Sequence, residues 1–411
     1  MKCYEDFIFR GLLKDISNEE VLIKAFNEEQ FRFYIGYDPS AKSLTVGHLV
    51  QLIRSRLLAN YGHIPVVVIG GGTGLIGDPR PTAERKLLSI DESLENGKYI
   101  KKQIKKILPN AIYVNNYSWL KDIDMISFLR DYGKHFQINY MLDKEVIKTR
   151  LDSGISFTEF SYMIIQSIDF YQLYKNYGVR SQTGGSDQWG NLTAGLELIK
   201  KIIPDNNAFA FSSPLLLKND GSKFGKTESG ALYLDSSLTS PFELYQYFLN
   251  ASDKDVENYL KFLTLLSKDE IISILKEHSI NPELRIAQKK IASEIVKLVH
   301  GSQALTEAKK VTNALFNNDF STLSLLQFQS ILKVLPNKEI ECESLLVDVL
   351  VDLGLAQSKR EAKEFIASGA IILGEEKIFD INFRVTKKNA YFEKYLIIKR
   401  GKKKAALGVF I

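Results

Sequence analysis

Through the first half of the chain, short apolar runs alternate with stretches whose apolar residues recur at helical spacing. Phe31 to Tyr37 and Ile64 to Ile69 read as strands, Gly47 to Ala59 and Ile100 to Leu108 as helices, and Ala111 to Val114 as a further strand. This alternation predicts a parallel α/β sheet. From Pro241 to about Leu315 the pattern is almost purely helical, and Asn317-Asn318-Asp319 with Ser321-Thr322 reads as a polar linker. The expected organisation is an α/β domain over 1–240, an α-helical domain over 241–316, a linker over 317–340 and a small α+β module over 341–411. No internal repeat or low-complexity tract interrupts it.

At 411 residues, 45% hydrophobic and 11% aromatic, the chain is long enough for two or three compact units and too apolar for general disorder. Its longest apolar runs fall far short of the roughly 18–20 residues that cross a bilayer, and Met1-Lys2-Cys3-Tyr4-Glu5 is not a hydrophobic leader. A soluble cytoplasmic protein is expected. Cys3 and Cys342 both lack a CxxC partner, and the histidines form no HExxH pair. No protein-bound metal is therefore expected, and any ion should arrive with oxygen ligands on a substrate phosphate.

Charge changes the picture more than its total suggests. Lys and Arg number 54 against 49 Asp and Glu, a net +5, yet the stretch from Arg384 onward has nine basic residues and only Glu393 as an acid. A basic end on a near-neutral body is the footprint of a nucleic-acid contact, although a solvated face is the commoner explanation for any single lysine.

Four segments carry candidate chemistry. Asp38-Pro39 ends a strand, and Gly47-His48 opens an apolar helix whose free N–H groups suit an anion, though a lone histidine there is more often a cap. Gly72-x-Gly74-x-x-Gly77 matches the dinucleotide fingerprint, with Asp91 near the spacing of its ribose acid. Asp78-Pro79-Arg80-Pro81 stops the helix which that fingerprint needs, and Ser89 and Asp91 look like helix caps, so a nicotinamide or flavin enzyme is disfavoured.

In the third segment, Ser156 and Glu159 form a capping box that puts Tyr162, Gln166 and Asp169 on one stripe of a largely apolar helix. Buried polar groups of this kind need partners, supplied either by another segment or by a ligand carrying an ammonium and a hydroxyl. Ser181 to Asn191 is a glycine-containing polar loop in which Asp187 and Gln188 suit ribose hydroxyls and a carbonyl; a capped turn explains it equally well. The fourth segment, Gly221-Ser222-Lys223-Phe224-Gly225-Lys226-Thr227, is one residue short of a Walker loop, and no apolar helix follows. A loop bringing lysines to a polyphosphate remains, beside the alternative of simple solvated lysines.

Taken in order, these stretches resemble the bacterial tyrosyl-tRNA synthetases, members of the class I aminoacyl-tRNA synthetases. Thr45-Val46-Gly47-His48 stands at the HIGH motif and Lys223-Phe224-Gly225-Lys226-Thr227 at KMSKS, while Gly185 to Asn191 and Phe157 to Tyr162 are close to verbatim. The resemblance implies a Rossmann-like nucleotide-binding domain that joins tyrosine to ATP, supplied with Mg²⁺, and then passes tyrosine to the terminal adenosine of tRNA-Tyr. It implies that Tyr34 and Asp169 meet the phenol, and that Asp78, Tyr162 and Gln166 hold the ammonium, with Gln182, Thr73 and Asn116 lining the pocket. It assigns ATP to Gly36, Asp38, Gly47, His48, Gly185, Asp187, Gln188, Lys223 and Lys226. Catalytic assistance falls to His48, Lys223, Lys226, Thr227 and Thr45, with Arg85 as a further phosphate contact.

Two positions depart from the family. Thr45 replaces the first histidine of HIGH, shortening one phosphate donor, and Ile35 stands where a cysteine is frequent. The last 70 or so residues are similar to a small RNA-binding module first seen in a ribosomal protein. Ser358 should cap a short helix presenting Lys359, Arg360 and Lys363 to phosphates, with Lys402 and Lys403 in the basic tail. The asparagine usual before Gly374 is Leu373. The resemblance also implies a homodimer.

Overall fold

The computed structural model describes residues 1–79, 87–151, 154–221, 224–227, 230–401 and 404–411. It divides into two compact units, Met1–Leu238 with Ser252–Ala287, and Thr239–Ala251 with Gln288–Ile411.

The first unit is built on five parallel strands, β1 (Arg32–Tyr37), β2 (Ile64–Ile69), β3 (Ile112–Asn115), β4 (Val179–Gly185) and β5 (Phe209–Ser213), in the order β3-β2-β1-β4-β5. Phe33, Tyr34 and Ile35 are all buried, as in a parallel sheet covered on both faces. The order reverses between β1 and β4, where β1 has β2 on one side and β4 on the other. Open α/β sheets form a ligand crevice at the carboxyl ends of such a pair, which here carry Asp38 and Gly184-Gly185.

Helices α1 (Leu49–Asn60), α2 (Ile90–Ile107), α3 (Phe157–Tyr177) and α4 (Trp189–Ile202) accompany the sheet. Phe170 and Leu173 of α3 pack with Tyr34, Val66 and Val68 of the strands in one core cluster. Burial of each such apolar side chain contributes about 1.5–3 kcal/mol. The helix expected from Gly47 starts two residues later, after a 3-10 turn over Val46–His48.

The helix expected over Ile100 to Leu108 begins ten residues earlier, at Ile90, capped by Ser89 through the Glu92 N–H. Its first turns bury Ser93 and Asn96, which donate to the Gly71 and Pro39 carbonyls at 3.0 and 3.1 Å. That face meets polar loops instead of apolar core, so the hydrophobic period is missing there. Gly72 to Gly77 supplies one short 3-10 turn, Thr73–Leu75, where the dinucleotide fingerprint needs a helix.

The 241–316 stretch is helical, with Pro241–Leu249 as α5 and Ser302–Asn317 as α6. Within the expected linker, Leu325–Leu332 forms α7 with a Ser324–Gln327 capping box. Phe320 and Phe328 are fully buried and gather around Tyr391, with ring centroids 5.8 and 5.0 Å from it. Two phenylalanines hidden among polar residues thus anchor a segment whose composition reads as loop.

The C-terminal module has strands β6 (Asn337–Ile340), β7 (Ile371–Leu373), β8 (Glu376–Lys377), β9 (Tyr395–Arg400) and β10 (Lys404–Phe410), ordered β8-β7-β9-β10-β6. Helices α8 (Leu346–Asp352) and α9 (Lys359–Ala367) cover it through Leu350, Ala362 and Ile366. The β7–β8 hairpin forms despite Leu373, because Gly374 adopts φ 60°, the left-handed region the turn requires.

Candidate active site

A cavity of about 590 Å³ opens at the crevice between β1 and β4. Tyr34, Gly36, Asp38, Thr45, Gly47, His48, Thr73, Asp78, Asn116, Tyr162, Gln166, Gln182, Gly185, Asp187 and Gln188, all singled out in the sequence, line it. They come from β1, the turn before α1, the loop after β2, the residue after β3, α3, and β4 with its following loop. The topology thus brings together residues that are spread over more than 150 positions.

A chain of hydrogen bonds backs one wall: Asn116, Thr73, Asp38 and Tyr162 line the cavity, and Asp169 and Trp119 stand behind them, outside its lining. Trp119 Nε1 and Asn116 Nδ2 donate to the two carboxylate oxygens of Asp169, each at 2.8 Å. Asn116 Nδ2 also donates to Thr73 Oγ1 at 2.8 Å, Thr73 donates to Asp38 Oδ1 at 2.6 Å, and the Tyr162 hydroxyl donates to Asp38 Oδ2 at 2.8 Å. The Asn116 carbonyl oxygen accepts from Gly72 N at 2.8 Å, which fixes the direction of its amide. Asp38 joins this chain, although the sequence grouped it with the nucleotide residues.

Burial governs the titration of these groups. It pushes the Asp169 carboxyl up to about 7; Asn116 and Trp119 oppose the shift, and the nearby charge of Asp38 adds to it. The Tyr34 and Tyr162 hydroxyls are driven well above the ordinary phenol value, first by burial and then by neighbouring carboxylates, Asp169 and Asp38 for Tyr34, Asp38 and Asp78 for Tyr162. Both remain neutral hydroxyls able to donate.

Near the Tyr162 hydroxyl, Gln188 Nε2 and Asn191 Nδ2 donate to Asp78 at 2.8 and 3.1 Å. Gln182 is buried, and its side-chain carbonyl oxygen finds no partner among the described residues. That oxygen lies against α4, 3.1 Å from where a Gly195 Cβ would stand.

Thr45 N donates to His48 Nδ1 at 3.0 Å, and Thr45 Oγ1 lies 3.0 Å from the same nitrogen. With Nδ1 accepting, the neutral ring carries its proton on Nε2. Burial lowers the His48 pKa and favours that neutral form. The Thr45 hydroxyl, expected as a phosphate donor, therefore sits against the histidine.

The second motif meets the first through its backbone. Leu232 N donates to Gly225 O at 3.0 Å, and Val46 N donates to Leu232 O at 2.9 Å. Gly225 has φ 78°, and a Cβ there would lie 3.0 Å from Gly47 N, so both the turn and the close approach require glycine. The Lys226 side chain is exposed, and Thr227 is placed by its backbone in a short ladder with Gly230. Lys223 and Arg85 lie outside the described residues.

Trp119 and Asn191 escaped the sequence reading as site residues. Trp119 sits in a one-turn helix, Tyr117–Leu120, with no motif around it. Its only signal was that a carboxylate as buried as Asp169 must find donors somewhere.

In the C-terminal module Lys359 pairs with Asp348 at 2.7 Å, Arg360 with Glu364 at 3.2 Å, and Lys363 is exposed. Lys402 and Lys403 lie outside the described residues. Three tail cations bond to backbone carbonyls, although Arg384 stays exposed. Lys399 is buried and donates to Leu315 O at 2.7 Å, Arg400 donates to Leu355 O at 2.7 Å, and Arg384 donates to Glu343 O at 2.5 Å. The basic footprint is accordingly smaller than the count of charges suggests.

A family model described as tRNA synthetases class I (W and Y) matches residues 26–317, and one described as the tyrosine–tRNA ligase SYY-like C-terminal domain matches 327–407. The chain is 52% identical over 417 residues to the tyrosine–tRNA ligase of Onion yellows phytoplasma (strain OY-M), covering 100% of each. It is 45% identical over 410 residues to tyrosine–tRNA ligase 1 of Bacillus subtilis (strain 168), covering 97% of each. Among solved structures, the C-terminally truncated mitochondrial tyrosyl-tRNA synthetase of Aspergillus nidulans superposes with a TM-score of 0.68 at 31% identity, over 77% of this chain and 94% of that one. With the switch-point cavity, the HIGH-like turn and both family matches in sequence order, the chain belongs to the tyrosine branch of the class I tRNA synthetases.

Proposed function

We propose that the cavity holds L-tyrosine and ATP side by side, forms tyrosyl-adenylate, and then passes the tyrosyl group to the 3′-terminal adenosine of tRNA-Tyr. The observation that carries this reading is the buried chain from Trp119 through Asp169, Asn116, Thr73 and Asp38 to Tyr162, with Tyr34 on the same wall. It puts the neutral hydroxyls of Tyr34, Thr73 and Tyr162 and the amide of Asn116 together on the cavity lining, suited to a phenol. The carboxylate of Asp78, with Tyr162 and Gln166 beside it on the cavity lining, suits an ammonium.

In the first step a tyrosine carboxylate oxygen bonds to the α-phosphorus as the bond to pyrophosphate breaks. No enzyme nucleophile takes part. The chain positions both reactants, with His48 Nε2–H and helix-start N–H groups meeting developing phosphate charge, and Lys223 and Lys226 are assigned to that same charge. Gly36, Gly47 and Gly185 leave room for the nucleotide, with Asp187 and Gln188 towards its ribose and the reacting carboxylate. Mg²⁺ enters as part of the ATP complex, neutralising phosphate charge. Phenylalanine in place of tyrosine leaves the hydroxyl-seeking groups unpaired, at about 1–3 kcal/mol for each buried group.

Lys359, Arg360, Lys363, Lys402 and Lys403 are assigned to the tRNA backbone. Cytoplasmic residence and a homodimer complete the reading. The exposed apolar side chains Met125, Ile126 and Leu129, 51–75% accessible within one five-residue stretch, are the surface we assign to the dimer contact. ATP–pyrophosphate exchange with tyrosine, phenylalanine and tryptophan tests the reading: exchange with tyrosine alone is expected, and exchange driven best by tryptophan overturns it.

A further inference from the structure

Arg54 is completely buried behind the nucleotide side of the cavity. Its Nη1 donates to the Gly184 carbonyl at 2.8 Å and to Ser213 Oγ at 2.7 Å, at the ends of β4 and β5, and its Nη2 donates to the side-chain oxygen of Gln51, one turn earlier on α1. All three acceptors are neutral, and burial lowers the guanidinium pKa to about 9. Burying a cation is costly unless its donors are taken up; here the two Nη atoms are bonded and Nε finds no partner among the described residues, and one of those bonds fixes a side chain of the cavity.

That arrangement concerns Gln51, which lines the cavity. A glutamine amide has a donor end and an acceptor end. Because Arg54 takes the oxygen, Nε2 points the other way, to within 3.3 Å of where a Gly185 Cβ would stand. Asp187 Oδ1 approaches that same Cβ position, at 2.4 Å. An amide donor and a carboxylate acceptor flanking one glycine match a sugar hydroxyl, which both accepts and donates.

We propose that Arg54 is a positioning residue for the nucleotide, locking the Gln51 amide so that Nε2 donates to the ribose oxygens of ATP while Asp187 accepts from them. The proposal rests on the tyrosine-activating reading and deepens it: Arg54 touches no substrate and acts through Gln51 and the Gly184 carbonyl.

The test is tyrosine-dependent ATP–pyrophosphate exchange by full-length Arg54→Met, Gln51→Ala, their double variant, and Gln51→Glu, with thermal unfolding as a control for folding. Gln51→Glu keeps an acceptor for Arg54 and removes the donor, so it separates positioning from stability. Expected is a rise in the KM for ATP of roughly tenfold in each single variant, the loss of about one hydrogen bond. The KM for tyrosine should stay within about twofold, and the double variant should be no worse than Gln51→Ala. Additive effects, equal changes in both KM values, or an unchanged KM for ATP in folded Gln51→Glu overturn the inference. Absence of tyrosine-dependent exchange in the unmodified chain sinks the underlying functional reading instead.

Discussion

Asn116 Nδ2 donates to Asp169 Oδ2 at 2.8 Å while the same nitrogen donates to Thr73 Oγ1 at 2.8 Å, so one amide links the carboxylate on α3 to the loop after β2. Asn116→Leu fills the space but strips Asp169, Thr73 and Gly72 N of a partner. Unfolding in urea should show a loss of about 1–3 kcal/mol, and the KM for tyrosine in exchange should rise more than that for ATP. Equal KM changes would mean the amide is only a structural strut.

Trp119→Phe removes one donor from Asp169 and keeps most of the ring. The burial that already raises the Asp169 carboxyl is then opposed by Asn116 alone, so its pKa should climb further. The expected readouts are weaker tyrosine binding and a shift of the acid limb of the exchange rate to higher pH. A pH profile identical to that of the unmodified chain would remove Trp119 from the site.

Asp169 also ties stability to pH. Its folded-state pKa lies at about 7 against an ordinary 3.8, so the proton is bound more tightly in the folded chain. The associated stability is fully present below about 3.8 and is lost as pH rises towards 7. Asp169→Asn lacks this pH dependence. Relative to that variant, the ligand-free chain should weaken steadily from pH 4 to 7 and then level off, as measured by urea unfolding; a constant difference across the range contradicts the shift.

His48 takes its orientation from the Thr45 backbone N–H as well as the nearby hydroxyl. Thr45→Ala retains the backbone donor, so the activation rate should fall less than about tenfold, whereas His48→Ala loses the Nε2–H donor itself and should fall by about 100–1,000-fold, the range typical of one lost charge-stabilising donor. Comparable losses in the two variants would show that the threonine hydroxyl reaches the phosphate after all.

Much of this was legible in the chain, and the exceptions have physical causes. Ile64–Ile69 was read to the residue, because a strand buried on both faces is an unbroken apolar run. Tyr162, Gln166 and Asp169 were found through helical spacing, and they do share the buried side of α3. The first ten residues of α2 were missed because Ser93 and Asn96 make hydrogen bonds where apolar residues would have marked a core face. Trp119 and Arg54 were invisible for a related reason: neither belongs to a motif, Trp119 meets its partner Asp169 fifty positions away, and Arg54 ties Gln51 on its own helix to Gly184, 130 positions on.

Charge in the tail is the last case, because a count of basic residues cannot separate those facing solvent from those used inside. Lys399 is buried, its ammonium bonded to Leu315 O and Asn318 Oδ1, and burial lowers its pKa, whereas Lys363 is exposed on α9. A cation that neutralises a phosphate steepens the salt dependence of RNA binding by nearly one unit of log–log slope. Lys363→Ala should therefore weaken tRNA binding and lower the slope by about one, as read from filter binding across a KCl series. Lys399→Met should lower the unfolding midpoint and leave the slope unchanged. The reverse pattern would place the tRNA on the β9 side of the module and remove α9 from the contact.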